Sequence, residues 1–357
     1  MVLRHKKINI LQIGPISYVG GVSVHMHRLV SLLGEDFDFN YIDESPKQLS
    51  KKNILNIRSI KDQFKIFIAI NKSDLIHIHS GNWVLRIYFL ILAITFRKKI
   101  IVTLHSLRLK GLKLSITNYL LRRTCRIIAV SEEIKQKLSN IISNKIVVLE
   151  AFLPPNIENE QALPPEIVNA ISEHRNKSCL IAANAFRLKK LENGELYGLD
   201  QCIEVAENAK SDNYALHIIF VIGTIKDEDK SYLDFFQKKI ENKNIESHIT
   251  IYPSSLSFIR LINEVDIVLR PTLTDGDALT IREALYMNKD IVASKVVKRP
   301  EFTTLYETAN TYDLFSKIKE LRRLKNNTDL TKFYNKKKNY KLIYTKLYNK
   351  CNSSHKS

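Results

Sequence analysis

Apolar and polar positions follow two alternating rhythms along this chain of 357 residues. INILQIG (8–14), DLIHIHS (74–80), KIIVTLHS (99–106), CRIIAVS (125–131) and KIVVLE (145–150) are short apolar runs rich in β-branched residues. Such runs predict buried strands. VSVHMHRLVSLLG and SEEIKQKLSNII lie between them with helical periodicity. Strand–helix alternation predicts a parallel sheet covered on both faces. AFLPPNIENEQALPP (151–165) then breaks the rhythm with four prolines and reads as a linker. The alternation resumes with strands SCLIAAN, ALHIIFVIG, HITIYPS, DIVLRP and DIVAS, separated by helices such as GLDQCIEVAENAK and SFIRLINEV.

The expected fold is α/β, with two Rossmann-like, doubly wound domains facing a central cleft. Residues 1–150 form the first domain, 151–165 the linker and 166–325 the second domain. Residues 326–357 form a basic C-terminal helix that returns to the first domain or to a membrane. Within 332–350 there are seven lysines and no acid. Tyr340, Ile343, Tyr344, Leu347 and Tyr348 recur there on one helical face. That face suits either packing on the body or interfacial membrane attachment.

Bulk properties narrow the picture only a little. The four cysteines are scattered and form no Cys-x-x-Cys pair, so no zinc or disulfide framework is indicated. That usage fits a reducing, cytoplasmic compartment. The longest apolar run, WVLRIYFLILAITF (83–96), contains Arg86 and falls short of the roughly 20 residues of a span. It is expected to be a buried helix. A net charge of +18 favours nucleic acid, anionic membrane or phosphorylated ligands, unless codon bias toward lysine explains it. No aromatic–basic recognition motif supports nucleic acid, which is not expected as a partner.

Doubly wound domains bind ligands at the carboxyl ends of their strands, so the loops after the strands are the place to look for chemistry. GPISYVGGVSVH puts Gly20 and Gly21 at a helix N-terminus, where anions are stabilised. Its spacing is not that of a dinucleotide or P-loop motif, and no acid-tipped second strand is placed for a nicotinamide cofactor. His79 and His105 end strands. A metal on them is not expected, because the acids that would complete a site lie in the other domain. Arg187, Lys189 and Lys190 follow the first strand of the second domain and suit a diphosphate. RPTLTDGDALTIREAL (270–285) carries Asp275, Gly276 and Asp277 on a turn, with Glu283 inside the following helix. Asp-x-Asp can hold a divalent metal. The small residues around it instead open backbone N–H groups to phosphate.

RPTLTDGDALTIREALYMNKDIVASKVVKRPE resembles the donor-site signature of retaining glycosyltransferases of family 4, on the GT-B fold. GGVSVHMHRL, DLIHIHSGNW, VTLHSL, RIIAVSEEIKQKL and YGLDQCIEVAE resemble that family's other blocks in the same order, to about residue 300. The resemblance implies that Gly20 and Gly21 line the donor phosphate or the acceptor entrance, and that His105 faces the transferred sugar. It places Asp275 on sugar hydroxyls, Glu283 on the ribose, and the backbone from Gly276 through Leu279 and Thr280 on the diphosphate. Arg187 would neutralise that diphosphate, with Lys189 or Lys190 supplying a charge that the family usually places where this chain has Tyr197. Asp275 stands where the family usually has Glu, and EAFLPP replaces the usual Asn-Gly after the first domain.

The expected activity is metal-independent, retaining transfer of a hexose-type sugar from a nucleotide-diphosphate sugar to a hydroxyl acceptor. The acceptor is expected to be a lipid-linked glycan of surface polysaccharide assembly, such as O-antigen or capsule. Cofactors are expected to be none, and the location peripheral at the cytoplasmic face of an anionic membrane. A non-catalytic sugar-nucleotide-binding protein of the same fold is the alternative.

Overall fold

The computed structural model describes residues 7–17, 20–46, 53–275, 278–324 and 339–353, without the side chains of 139–143. The chain forms two compact units, residues 1–153 with 338–357, and residues 154–337.

The first unit is built on a parallel sheet of seven strands. They are β1 (Ile8–Gly14), β2 (Phe37–Asp43), β3 (Ile54–Asn56), β4 (Leu75–Ile78), β5 (Lys99–Leu104), β6 (Arg126–Ala129) and β7 (Ile146–Val148). Their order is β3-β2-β1-β4-β5-β6-β7, so the direction of winding reverses between β1 and β4. Central strands β4 and β5 are buried on both faces. This is why they read as continuous apolar runs. Strand β2 is different. FDFNYID alternates aromatic and polar residues near the sheet edge and is only half-buried. It ends on Asp43, with buried Glu44 next. An acid-tipped second strand is therefore present, contrary to expectation; its polar alternation masks it in the sequence.

The helix Tyr340–Ser353 belongs to this unit. Tyr340, Tyr344, Leu347, Tyr348 and Cys351 are buried against Ile10, Leu29, Phe37, Leu75 and Ile101. The tyrosine face therefore lies inside protein and is not available to insert into a membrane. The upstream lysine run, 332–338, lies outside the described residues. Helix Trp83–Thr95 also departs from expectation. Phe89, Leu90 and Ala93 are buried, while Val84 and Ile91 on its other face are exposed. No helix among the described residues is long and apolar enough to cross a membrane.

The second unit has a six-stranded parallel sheet, β8 (Cys179–Ala185), β11 (Leu216–Ile222), β12 (Ile249–Tyr252), β13 (Ile267–Arg270), β14 (Asp290–Ser294) and β15 (Thr304–Tyr306). Their order is β12-β11-β8-β13-β14-β15. This is the Rossmann order, with its switch point between β8 and β13. A small antiparallel pair, β9 (Lys190–Leu191) and β10 (Gly194–Glu195), hangs from the loop after β8. Ala151, Phe152 and Leu153, expected in the linker, form the end of the first unit. Phe152 and Leu153 are buried there.

Candidate functional site

The switch point of the second sheet gathers charge. Arg270 closes β13 and grips Asp275 with both arms, Nε to Oδ2 at 3.0 Å and NH2 to Oδ1 at 3.1 Å. Arg299 donates to the same Oδ2 at 2.9 Å, and the Thr272 hydroxyl at 3.3 Å. Arg299 is anchored in turn by the Ser294 carbonyl at the end of β14. Burial pushes the Asp275 carboxyl up, but the two guanidiniums outweigh it and hold it below the ordinary aspartate range. The carboxylate expected to meet sugar hydroxyls is thus engaged by two arginines. Gly276, and with it Asp277, lies outside the described residues.

The helix Leu279–Tyr286 starts just beyond this turn, with Ala278 as an N-cap that offers no side-chain hydrogen bond. Its first amides have no side-chain cap from Ala278, as an anion site requires. The Thr280 hydroxyl donates to the Asn184 Oδ1 on β8 at 3.3 Å, tying the start of this helix to β8 at the switch point. Leu279 is half-buried and Glu283 buried, on a helix whose Ile281, Ala284 and Leu285 fill the core.

Loop geometry fixes the neighbouring segment. Glu195 is fully buried and accepts from the amides of Lys189, Tyr197 and Leu199. Burial raises its carboxyl to about 7 against the pull of those amides. Gly198 follows at φ +80, a left-handed conformation. A Cβ there would lie 2.2 Å from the Pro271 carbonyl oxygen, so only glycine lets this loop meet the end of β13. The Arg270 guanidinium lies over the Tyr197 ring at 5.3 Å. Arg187 pairs with Glu228 at 2.7 Å and Asp229 at 3.0 Å. With exposed Lys189 and Lys190 it borders a pocket of 860 Å³ that also includes Asp200, Tyr232 and Lys239.

In the first unit, Gly20 and Gly21 stand at the N-terminus of helix Gly21–Leu33, which has no side-chain cap. His25 on that helix meets His79, after β4, and His105, after β5. Ring centroids are 5.4 Å from His25 to His79 and 5.0 Å from His25 to His105. His25 Nδ1 bonds the Ala151 carbonyl at 2.7 Å. His77 lies beneath, held by the Tyr348 hydroxyl and by Thr103, both at 2.8 Å. Burial depresses all four imidazoles, His25 to about 4 and the others well below the usual range. They are neutral at physiological pH. Glu44 sits near Ser80 and Arg86. Burial raises its carboxyl to about 7, offset in part by a hydrogen bond from Ser80 and the charge of Arg86.

The expected residues therefore fall into two groups. Gly20, Gly21 and His105 lie in the first unit; Arg187, Lys189, Lys190, Asp275, Leu279, Thr280 and Glu283 lie in the second. Sequence reasoning missed Arg270, Arg299, Asn184, Glu195, His25 and Glu44. Arg270 carried a usable signal, as a charge at the last position of an apolar strand. Arg299 carried none, because its partner lies 24 residues away.

Residues 19–152 match the model of Glycosyltransferase Family 4. Curated protein sequences give no significant match. Among solved structures, Anabaena Alr3699/HepE in complex with UDP-glucose is similar, with a TM-score of 0.70 and 14% identity over 97% of this chain and 100% of that one. A glycosyltransferase from Rickettsia africae has a TM-score of 0.66 and 20% identity over 98% and 97% of the two chains. The apo lipopolysaccharide outer core galactosyltransferase WaaB has a TM-score of 0.57 and 14% identity over 97% and 99%.

Proposed function

Starting from a chain whose residues 19–152 match the model of Glycosyltransferase Family 4 and which takes the GT-B fold, we propose that this protein transfers a sugar from a nucleotide-diphosphate sugar to a hydroxyl acceptor. The observation that carries the reading is the switch point of the second sheet. There Arg270 and Arg299 and the N-terminus of helix Leu279–Tyr286 converge within a few residues of sequence or one ion pair. Guanidiniums and helix amides stabilise the charge that grows on a departing diphosphate as the sugar becomes oxocarbenium-like. Glu283, rigid within the helix, accepts from the ribose hydroxyls. Asp275 holds the two arginines in place and presents what remains of its acceptor capacity to the sugar. Leu279, Thr280 and the preceding turn carry the phosphates; exposed Lys189 and Lys190 add positive potential, whereas the charge of Arg187 is taken up by Glu228 and Asp229.

In this reading transfer is retaining and needs no metal. No carboxylate nucleophile is invoked. The acceptor attacks on the face from which the diphosphate leaves, and the leaving phosphate takes the acceptor proton. The acceptor is a lipid-linked glycan of surface polysaccharide assembly, O-antigen or capsule. The protein works at the inner face of the cytoplasmic membrane, attracted to anionic lipid by its +18 charge rather than by an inserted helix face. The ion pairs of Arg187 with Glu228 and Asp229 favour a second reading, a protein that binds sugar nucleotides without transferring the sugar.

One assay separates them. UDP- and GDP-sugars are offered with lipid-linked acceptors in the presence of excess chelator, and products are analysed by NMR. A glycoside with the donor's anomeric configuration supports the reading. Binding without any product supports the second. An inverted product, or transfer that stops with chelator and returns with manganese, contradicts the mechanism.

A further inference from the structure

We propose that His25, His79 and His105 form a binding site for one transition-metal ion of the zinc class. Among the described residues they are the one group of three or more metal-ligating side chains whose donor atoms converge, all lying within 4.8 Å of one another. His79 Nδ1 and His105 Nε2 face each other at 3.4 Å. That is long for a hydrogen bond. It matches the spacing of about 3.3 Å between two nitrogens bound tetrahedrally to one zinc at roughly 2.0–2.1 Å.

The third ligand is poised by its tautomer. His25 Nδ1 faces the Ala151 carbonyl, which can only accept, so Nδ1 carries the proton. Nε2 therefore keeps its lone pair, is buried, and has no hydrogen-bond partner. A metal-bound histidine commonly has this arrangement, with its second nitrogen donating to a carbonyl. Unsatisfied buried nitrogens are rare and call for an explanation. Neighbouring His77 shows the contrast, since both its nitrogens are taken by Tyr348 and Thr103. His105 is only partly buried, which leaves a way in for an ion, and three ligands leave a fourth coordination position unfilled. Three imidazoles with one open position suit zinc, cobalt, nickel or copper, and exclude magnesium and calcium, which demand oxygen ligands. The site ties helix Gly21–Leu33 to the ends of β4 and β5. It gives His105 a role other than the sugar-facing one that the family resemblance implies, and it asks nothing of the transfer reaction, which needs no ion.

The test is equilibrium dialysis of the full chain against chelator-buffered zinc, read by elemental analysis. One zinc per chain is expected. His79→Gln and His105→Gln each weaken binding at least tenfold, and His27→Gln, two residues beyond His25 with its Nε2 on the Ile16 carbonyl, leaves it unchanged. Cobalt provides a measurement on the unaltered protein, with the intense visible absorption of a tetrahedral site expected. Absence of stoichiometric zinc, equal affinity in both ligand variants, or the weak spectrum of octahedral cobalt would overturn the proposal. The first of these would leave the three imidazoles as a water-filled polar cluster.

Discussion

Replacing Asp275 by Asn isolates what that carboxylate does. Its Oδ2 receives Arg270 Nε at 3.0 Å, Arg299 NH1 at 2.9 Å and Thr272 at 3.3 Å, and its Oδ1 receives Arg270 NH2 at 3.1 Å. The side chains are almost closed to solvent, 9% exposed for Asp275, 11% for Arg270 and 2% for Arg299. Asn keeps the shape but loses the charge, and its NH2 group points donors at a guanidinium. Breaking a buried ion pair by removing one partner costs about 3–5 kcal/mol. Arg270 keeps slight solvent access, so about 3 kcal/mol is expected. Urea unfolding at neutral pH measures it. The pH dependence supplies the sign. The folded-state pKa of Asp275 is depressed, so its contribution is full above the ordinary aspartate range and is lost as pH falls through the folded value. The gap between wild type and variant should therefore close in strong acid. If Asp275 served only the transferred sugar, the variant would lose turnover and keep its stability. A difference below about 0.5 kcal/mol at neutral pH, the range of ordinary surface substitutions, would refute the reasoning.

Two further outcomes test the architecture around the sites. Gly198→Ala places a Cβ 2.2 Å from the Pro271 oxygen at φ +80; the left-handed conformation alone costs about 1–2 kcal/mol. A clear fall in Tm is expected, and an unchanged Tm would mean that the loop has room to spare. In the first unit His25 falls from 6.5 to about 4 through burial, and it must stay neutral to stay packed. Stability of that unit is therefore full above about pH 6.5 and declines as pH falls toward 4. Fluorescence of Trp83, the single tryptophan, reports it during denaturant titrations, and stability constant over this interval would contradict the burial of the histidine.

Much of this was legible before any coordinates. Central strands buried on both faces announce themselves, and INILQIG and DIVAS match β1 and β14 residue for residue. Three strands near the sheet margins do not, although the edge strands β7 and β12 do. β2 alternates aromatic and polar residues, and β3 and β15 are three residues each, too short for periodicity to register. The tyrosine stripe of the last helix was visible as a stripe. Whether protein or lipid covers it depends on contacts with residues some 300 positions earlier. The site was legible where neighbours in sequence are neighbours in space, as along 270–285. It was hidden where one helix and the ends of two strands deliver one residue each. His79 and His105 stood out as strand ends, but His25 carried no signal of its own, and only the β1-β4-β5 order brings the three together.

The central claim is that the second unit binds a nucleotide-diphosphate sugar through Glu283 and the helix that carries it. Calorimetric titration of wild type and Glu283→Gln with a panel of UDP- and GDP-sugars tests this most directly. A hydrogen bond to a charged group is worth about 1.5–3 kcal/mol. One donor should therefore bind the wild type, and the variant should hold it roughly ten- to a hundredfold more weakly. Failure of every nucleotide sugar to bind the wild type, or equal affinity in the variant, would contradict the account.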